Sequence, residues 1–281
     1  MTESEKSMNE ELRTKYEKLL DVIRSYGKVA LAFSGGVDST LLAMASVEAI
    51  GKESLLCVTA RSASFPEREL KSATGFCLLH GIAHKVIDTH ELDIEGFSKN
   101  PTNRCYLCKR EIFSKIIEAA KQFGAQTVIE GSNIDDEGDY RPGKQAVKEL
   151  NVESPLHTAG LTKEDIRSIS KELGLDTWDK QSFACLSSRF VYGEDITVER
   201  LHMVDIAEQL LLDRGFRFVR VRIHGNENPI ARIEVLPEEI ERLASGELRI
   251  EIQEELKKLG FRYIVLDLAG YRTGSMNEGL N

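Results

Sequence analysis

Val29-Ala-Leu-Ala-Phe-Ser-Gly-Gly-Val-Asp-Ser-Thr40 is the stretch on which the fold turns. Val29 to Phe33 is an unbroken apolar run and reads as a buried strand. Ser34-Gly35-Gly36 allows a sharp turn. From Asp38 the pattern reads as a helix with Leu41, Leu42 and Met44 on its buried side. Strand, glycine-rich turn and helix together aim free backbone N–H groups and a helix N-terminus at an anion. Gly35 and Gly36 permit positive φ and a close approach to phosphate. The hydroxyls of Ser34, Ser39 and Thr40 add donors. A βα turn that merely needs glycine is the plain alternative. The full Ser-Gly-Gly-Val-Asp-Ser string is more specific than that and favours phosphate. The Gly-Lys-Ser/Thr of the Walker pattern is absent, so this is not an ordinary P-loop.

Outward from this stretch, strands and helices alternate. An amphipathic helix over 9–25 (Leu12, Tyr16, Leu19, Leu20, Ile23) precedes it. After the helix that ends at Gly51 come a strand over 54–59, a helix opening at Pro66, a strand over 83–88, a helix over 109–123 and a strand over 126–130. The pattern predicts an α/β fold, a twisted parallel sheet with helices on both faces. Ligands in such sheets bind at the carboxyl ends of the strands, which brings Ser34, Ala60 and Gly131 together as nucleotide contacts. A polar loop over 130–143 carries five acidic residues. It is a solvated turn or a cover over nucleotide and Mg²⁺. Thr162-Lys-Glu-Asp165 reads as a capping box.

The composition changes near residue 190, which divides the chain into a nucleotide-binding domain (1–189) and a small α+β domain (190–281). A helix over 197–212 precedes a hairpin of two alternating strands, 216–223 and 230–235. Arg220 and Arg222 share its polar face. They are solvated, matched to Glu234, or suited to a phosphate or carboxylate.

Hydrophobic content of 41%, charged content of 30% and the lack of a long apolar run predict a soluble cytoplasmic protein without a membrane partner. A net charge of −9 argues against a large nucleic-acid surface. Cys57 and Cys77 lie in apolar segments and read as buried packing residues. Cys105-Tyr-Leu-Cys108 is a CxxC at a helix start, and Cys185 stands alone in a later loop. On spacing alone these thiols suit a redox dithiol, a zinc site or an iron–sulfur cluster.

The phosphate loop resembles that of the N-type ATP pyrophosphatases, which split ATP into AMP and pyrophosphate. Over nearly its full length the chain resembles the LarE sulfur transferases of that superfamily. The matching stretches are Phe33-Ser-Gly-Gly-Val-Asp-Ser39, Asp139-Tyr-Arg-Pro-Gly143, Leu186-Ser-Ser-Arg189, Val219-Arg-Val-Arg222 with Ala231-Arg-Ile-Glu234, and Leu266-Asp-Leu-Ala-Gly-Tyr-Arg272 with Met276-Asn277. The resemblance implies ATP and Mg²⁺ held by Ser34, Gly35, Gly36, Asp38, Ser39 and Thr40, and adenylylation of a carboxylate on a pyridinium mononucleotide. It implies substrate binding by Arg189, Arg220 and Arg222, with Ser188 and Glu208 close by. On sequence alone Glu208 reads instead as a surface residue of its helix.

One branch of the family uses a sacrificial cysteine five positions before the arginine. Ala184 stands there in this chain. Cys105, Cys108 and Cys185 match the other branch, which implies a [4Fe–4S] cluster as sulfur carrier. A homo-oligomer, trimer or hexamer, is implied too; the sulfide donor is not. A cluster-dependent tRNA thiolase, an amide-forming ATP pyrophosphatase and a non-catalytic nucleotide sensor are the alternatives.

Overall fold

The computed structural model describes residues 9–137, 142–181 and 184–272. The chain divides into two compact units, Met1–Glu91 with Cys105–Phe183, and Leu92–Arg104 with Ala184–Asn281.

In the first unit the elements run α1 (Glu10–Tyr26), β1 (Val29–Ala32), α2 (Val37–Ile50), β2 (Leu55–Arg61), α3 (Glu67–His80), β3 (Ala83–Asp88), α4 (Arg104–Phe123), β4 (Thr127–Ile129), α5 (Gly143–Glu149), α6 (Pro155–Ala159) and α7 (Lys163–Glu172). The four strands form one parallel sheet in the order β3-β2-β1-β4. Successive side chains of a strand point to opposite faces, and the two cores follow that rule. Val29, Leu31, Leu55 and Cys57 join one core with Leu19 and Ile23 of α1, Leu41 and Leu42 of α2, and Ile166 and Ile169 of α7. Ala30, Leu56, Val58 and Val128 join the other with Phe113, Ile116 and Ala120 of α4. Both faces are therefore covered, as a parallel sheet requires. The sheet reverses direction of growth between β1 and β4, so the ends of these two strands flank its switch point.

Helix α4 starts before the expected 109, and the CxxC lies at a helix start as the sequence indicated. This helix opens at Arg104, bonded back to the Pro101 carbonyl at 3.0 Å, and takes both CxxC thiols into its first turns. Apolar periodicity begins only near Ile112 and Phe113, which hides the polar opening turns. Helices α5 and α6 are seven and five residues long, too short for periodicity to reveal. Asp139-Tyr-Arg141, Met276 and Asn277, which contribute to the resemblance, lie outside the described residues.

The second unit contains α8 (Val198–Asp213), β5 (Arg220–His224), β6 (Ile230–Glu234), α9 (Ile240–Ala244), α10 (Gly246–Lys258) and β7 (Tyr263–Leu266). β5 and β6 form the expected antiparallel hairpin, and β7 pairs parallel with β6. The earlier segment joins this unit through Asn100. Its Nδ2 donates to the Val191 carbonyl at 2.6 Å, and its own carbonyl accepts from Gly193 N–H at 3.0 Å. The hairpin has no solvated polar face at Arg220 and Arg222, both of which are buried. A one-turn helix, Leu186–Arg189, lies on that side, with the Ser188 carbonyl bonded to Arg222 at 3.0 Å. Among the described residues no helix is long and apolar enough to cross a membrane.

Candidate functional site

The nucleotide loop sits at the carboxyl end of β1. Gly35 has φ 70, whereas Gly36 is extended at φ −80 and ψ 167 and is the N-cap of α2. Only the first glycine thus takes the left-handed conformation. No side chain caps this helix, so its first-turn N–H groups are left facing the loop. Ser34 and Ser39 hydroxyls lie 3.1 Å apart; Ser39 Oγ donates to the Gly36 carbonyl at 3.2 Å, and Gly36 N–H donates to Ser34 Oγ at 3.3 Å. Thr40 is buried, and its hydroxyl has no hydrogen-bond partner among the described residues. Thr59, next to Ala60 at the end of β2, ties itself to the Phe33 carbonyl at 2.8 Å. Gly131, just past β4, packs so closely that a Cβ there would lie 3.1 Å from the Asp38 Cβ. The structure therefore brings Ser34, Ser39, Asp38 and Gly131 together.

Two lysines complete this site, and neither was singled out from the sequence. Lys163 Nζ pairs with Asp38 Oδ2, while Asn133 Nδ2 reaches Asp38 Oδ1 at 3.3 Å. Lys180 Nζ donates to the Gly35 carbonyl at 3.0 Å and pairs with Glu69 at 2.7 Å. The acidic loop is engaged in its own shape. Glu130 accepts from Ser132 N–H at 3.1 Å and from the Ser154 hydroxyl. Asp136 forms a capping box with Asn133, Asp135 accepts from Lys163 N–H at 2.7 Å, and Glu137 pairs with His157 at 2.6 Å.

All five cysteines are thiols. Cys57 and Cys77 are fully buried, as expected for packing residues. Cys105 and Cys108 are half-buried and three positions apart on α4, so they share one face. Two such thiolates fit two corners of an iron–sulfur cluster. Cys185, also half-buried, belongs to the second unit. Among the described residues no group of three or more His, Cys, Asp or Glu side chains is gathered tightly enough to hold a metal ion.

The second unit builds a different site. Arg189 is fully buried and lays its Nε and Nη2 on Glu208 at 2.8 and 3.0 Å. Its Nη1 donates to the Ala184 carbonyl at 2.7 Å, the Cys185 carbonyl at 3.2 Å and Ser188 Oγ at 2.8 Å. Glu208 is buried too, which overturns its reading as a surface residue, and it also accepts from Val221 N–H at 3.1 Å. Burial by itself would raise the Glu208 carboxyl, but Arg189, then Arg220 and the Val221 amide, outweigh it and hold the group below the ordinary glutamate range. Arg222 lies on Glu234 at 3.1 and 2.9 Å, and Glu234 also receives Arg232 at 3.2 Å. Arg220 donates to the Val219 carbonyl at 2.7 Å and stacks over Tyr271 with 5.3 Å to the ring centre. Burial pulls the Arg220 guanidinium down to about 10, and the like charges of Arg189 and Arg222 add to that. The carboxylate of Glu208 acts the other way and favours the charged form of Arg220.

A Ser-Gly-Gly-Val-Asp-Ser loop between an inner strand of a parallel sheet and the helix that follows it places the chain with the PP-loop class of nucleotide-binding enzymes. The NAD synthase family model matches residues 11–115, which hold this loop. The chain is 35% identical over 272 residues to the pyridinium-3,5-bisthiocarboxylic acid mononucleotide synthase of Lactiplantibacillus plantarum, covering 96% of each chain. It is 41% identical over 269 residues to an uncharacterized protein of Synechocystis, across 96% of this chain and 99% of that one. A glutamine-hydrolyzing GMP synthase chain of Thermoplasma volcanium matches at 28% over 65% of this chain and 64% of its own. The chain belongs to the LarE family of the PP-loop superfamily and is an ATP-using enzyme.

Proposed function

We propose that this enzyme is an ATP-dependent sulfur transferase that converts a pyridinium dicarboxylate mononucleotide to its thiocarboxylate. The observation that carries the reading is the Ser34–Thr40 loop at the end of β1, in a chain that matches the Lactiplantibacillus synthase along 96% of both lengths. ATP lies over Ser34, Gly35, Gly36 and Ser39, beside Ala60 and Gly131. Thr40 is the weakest of the expected contacts, since its hydroxyl is buried. The first-turn amides of α2 receive the phosphates; Asp38 would hold Mg²⁺, which would supply positive charge to the pyrophosphate leaving group. A substrate carboxylate oxygen attacks the α-phosphorus, the bond to pyrophosphate breaks, and an acyl adenylate forms. A sulfur nucleophile then displaces AMP, leaving a thiocarboxylate. Preorganised amides act on the charge that develops in these steps.

Cys105, Cys108 and Cys185 would hold the [4Fe–4S] cluster, and when bound it would supply the sulfur. Arg220 takes the substrate's phosphate or carboxylate. Arg189 and Arg222 bind it with Arg220, and Glu208, Glu234 and Ser188 hold these guanidinium groups in place. The partners are a small nucleotide substrate, a sulfide donor and further copies of the chain in a trimer or hexamer, with the enzyme in the cytoplasm.

Incubation with ATP, sulfide and the dicarboxylate mononucleotide should give AMP, pyrophosphate and a sulfur-for-oxygen product by mass spectrometry. ADP in place of AMP would end this reading. Anaerobically prepared protein should carry about four iron and four sulfide per chain, lost when any one of the three cysteines is changed to Ala. The NAD synthase and GMP synthase matches favour one other chemistry, amide formation. An amide product with ammonia in place of sulfide would select it.

A further inference from the structure

The carboxylate that the nucleotide loop presents already has a cation on it. Lys163 pairs with Asp38, yet the two side chains keep 27% and 25% of their surface exposed, so burial does not lock them together. Lys163 also stands where its charge is disfavoured. It is the first residue of α7, and the helix dipole repels a cation at that end. The rest of this N-terminus follows the ordinary rules, with Thr162 and Asp165 closing a capping box and Glu164 in the first turn. Asp135 holds the backbone N–H of Lys163 at 2.7 Å, which fixes the root of the side chain and leaves its flexible four-carbon stem to swing. An ammonium carries three donors, so it can trade a carboxylate for phosphate oxygens with little movement.

We propose that Lys163 is a placeholder cation for the nucleotide site. It neutralises Asp38 while the loop is empty. When MgATP arrives, it yields that carboxylate to the metal and turns to the phosphates that leave as pyrophosphate. Asp38 keeps a cationic partner throughout, and each turnover ends with Lys163 back on Asp38. This rests on the ATP reading above and adds to it a specific exchange of partners.

Isothermal titration of the full-length protein tests the exchange, using magnesium pyrophosphate, MgATP and AMP as probes. Lys163→Met should bind pyrophosphate about ten- to hundredfold more weakly, the size of one charge-assisted hydrogen bond, with AMP affinity unchanged. The Mg²⁺ concentration that half-saturates ATP binding should fall in this variant, because no ammonium competes for Asp38. Lys163→Arg, which keeps the charge, should retain most of the pyrophosphate affinity and guards against a folding artefact. Equal pyrophosphate affinity in wild type and Lys163→Met overturns the proposal. So do parallel losses for pyrophosphate and AMP, which mark a purely structural lysine. Wild type that binds neither ATP nor pyrophosphate overturns the ATP reading itself, a result distinct from the other two.

Discussion

The two units handle charge in opposite ways. At the nucleotide loop, Asp38 and Lys163 keep 25% and 27% of their side chains exposed. In the second unit, Arg189 and Glu208 keep 0% and 2%. The first site is made of backbone amides, small residues and an ion pair that can open. The second is made of buried guanidinium–carboxylate forks whose donors already have acceptors. A site that must admit and release a highly charged ligand needs exchangeable partners. A site that must hold a loop in one shape needs partners that cannot leave. Arg189 holds the carbonyls of Ala184 and Cys185, and so sets the backbone that carries the third cysteine.

The strongest way to break this contrast is Glu208→Ala. It leaves Arg189 buried without its counter-ion, and a loss of about 3–5 kcal/mol in urea unfolding is expected. Replacing both partners, Arg189→Met with Glu208→Leu, should recover only part of that stability, because it removes the orphaned charge but leaves the Val221 amide and the Ala184 carbonyl without their partners. If Glu208→Ala costs less than about 1 kcal/mol, the pair behaves as an exposed surface pair would and the contrast fails. The same pair has a pH signature. The Glu208 carboxyl is held below its reference value of 4.5, so its contribution is present above that pH and is lost as pH falls through the lowered folded value. The stability gap between wild type and Glu208→Gln should therefore be widest near neutrality and close on acidification. A gap that widens in acid would reverse the assigned sign.

At the loop the expected damage is to binding more than to folding. Gly35 has φ 70, and a Cβ there would meet the Ala73 Cα and Cβ at 3.3 Å. Gly35→Ala should cost about 1–2 kcal/mol of stability from the left-handed backbone alone and remove measurable ATP binding. Gly131→Ala is milder. Its Cβ would press on the Asp38 Cβ at 3.1 Å, and ATP affinity should fall about tenfold with little change in the unfolding midpoint. An unchanged ATP affinity in Gly131→Ala would show that the position of Asp38 does not matter to the nucleotide.

The contrast also explains what could be read in advance. Local covalent chemistry builds the loop: an apolar run, adjacent glycines and a helix start are all written within twelve residues, Val29 to Thr40. The capping box at Thr162 was legible for the same reason. The second site depends on what covers a strand, and alternation cannot show that. Arg220 and Arg222 alternate with Val219 and Val221 as an exposed face would, yet the turn Leu186–Arg189 lies over them. Glu208 did carry a signal. Leu201, Val204 and Leu211 are buried on α8, and Glu208 falls into the same helical stripe, a place where a carboxylate needs a partner. Lys163 carried one as well, as a cation at a helix N-terminus. Lys180 carried none, because it meets Gly35 from a segment distant in sequence.

The smallest effect gives the finest test. Thr162 Oγ1 accepts from Asp165 N–H at 3.2 Å, and Asp165 Oδ2 accepts from Thr162 N–H at 3.0 Å and from Lys15 at 2.9 Å. Thr162→Ala removes one half of this box and should cost about 1 kcal/mol of stability. Asp165 still accepts from Lys15 and the residue 162 amide, and Asp135 still holds Lys163 N–H, so the first turn of α7 should loosen without dissolving. The Lys163 charge stays in place on a less fixed root. Pyrophosphate affinity in Thr162→Ala should then fall by much less than in Lys163→Met, and stability should fall by more. If Thr162→Ala weakens pyrophosphate as much as Lys163→Met does, placement of the helix end outweighs the charge it carries, and the loop site would resemble the rigid second site more than the exchangeable one described above.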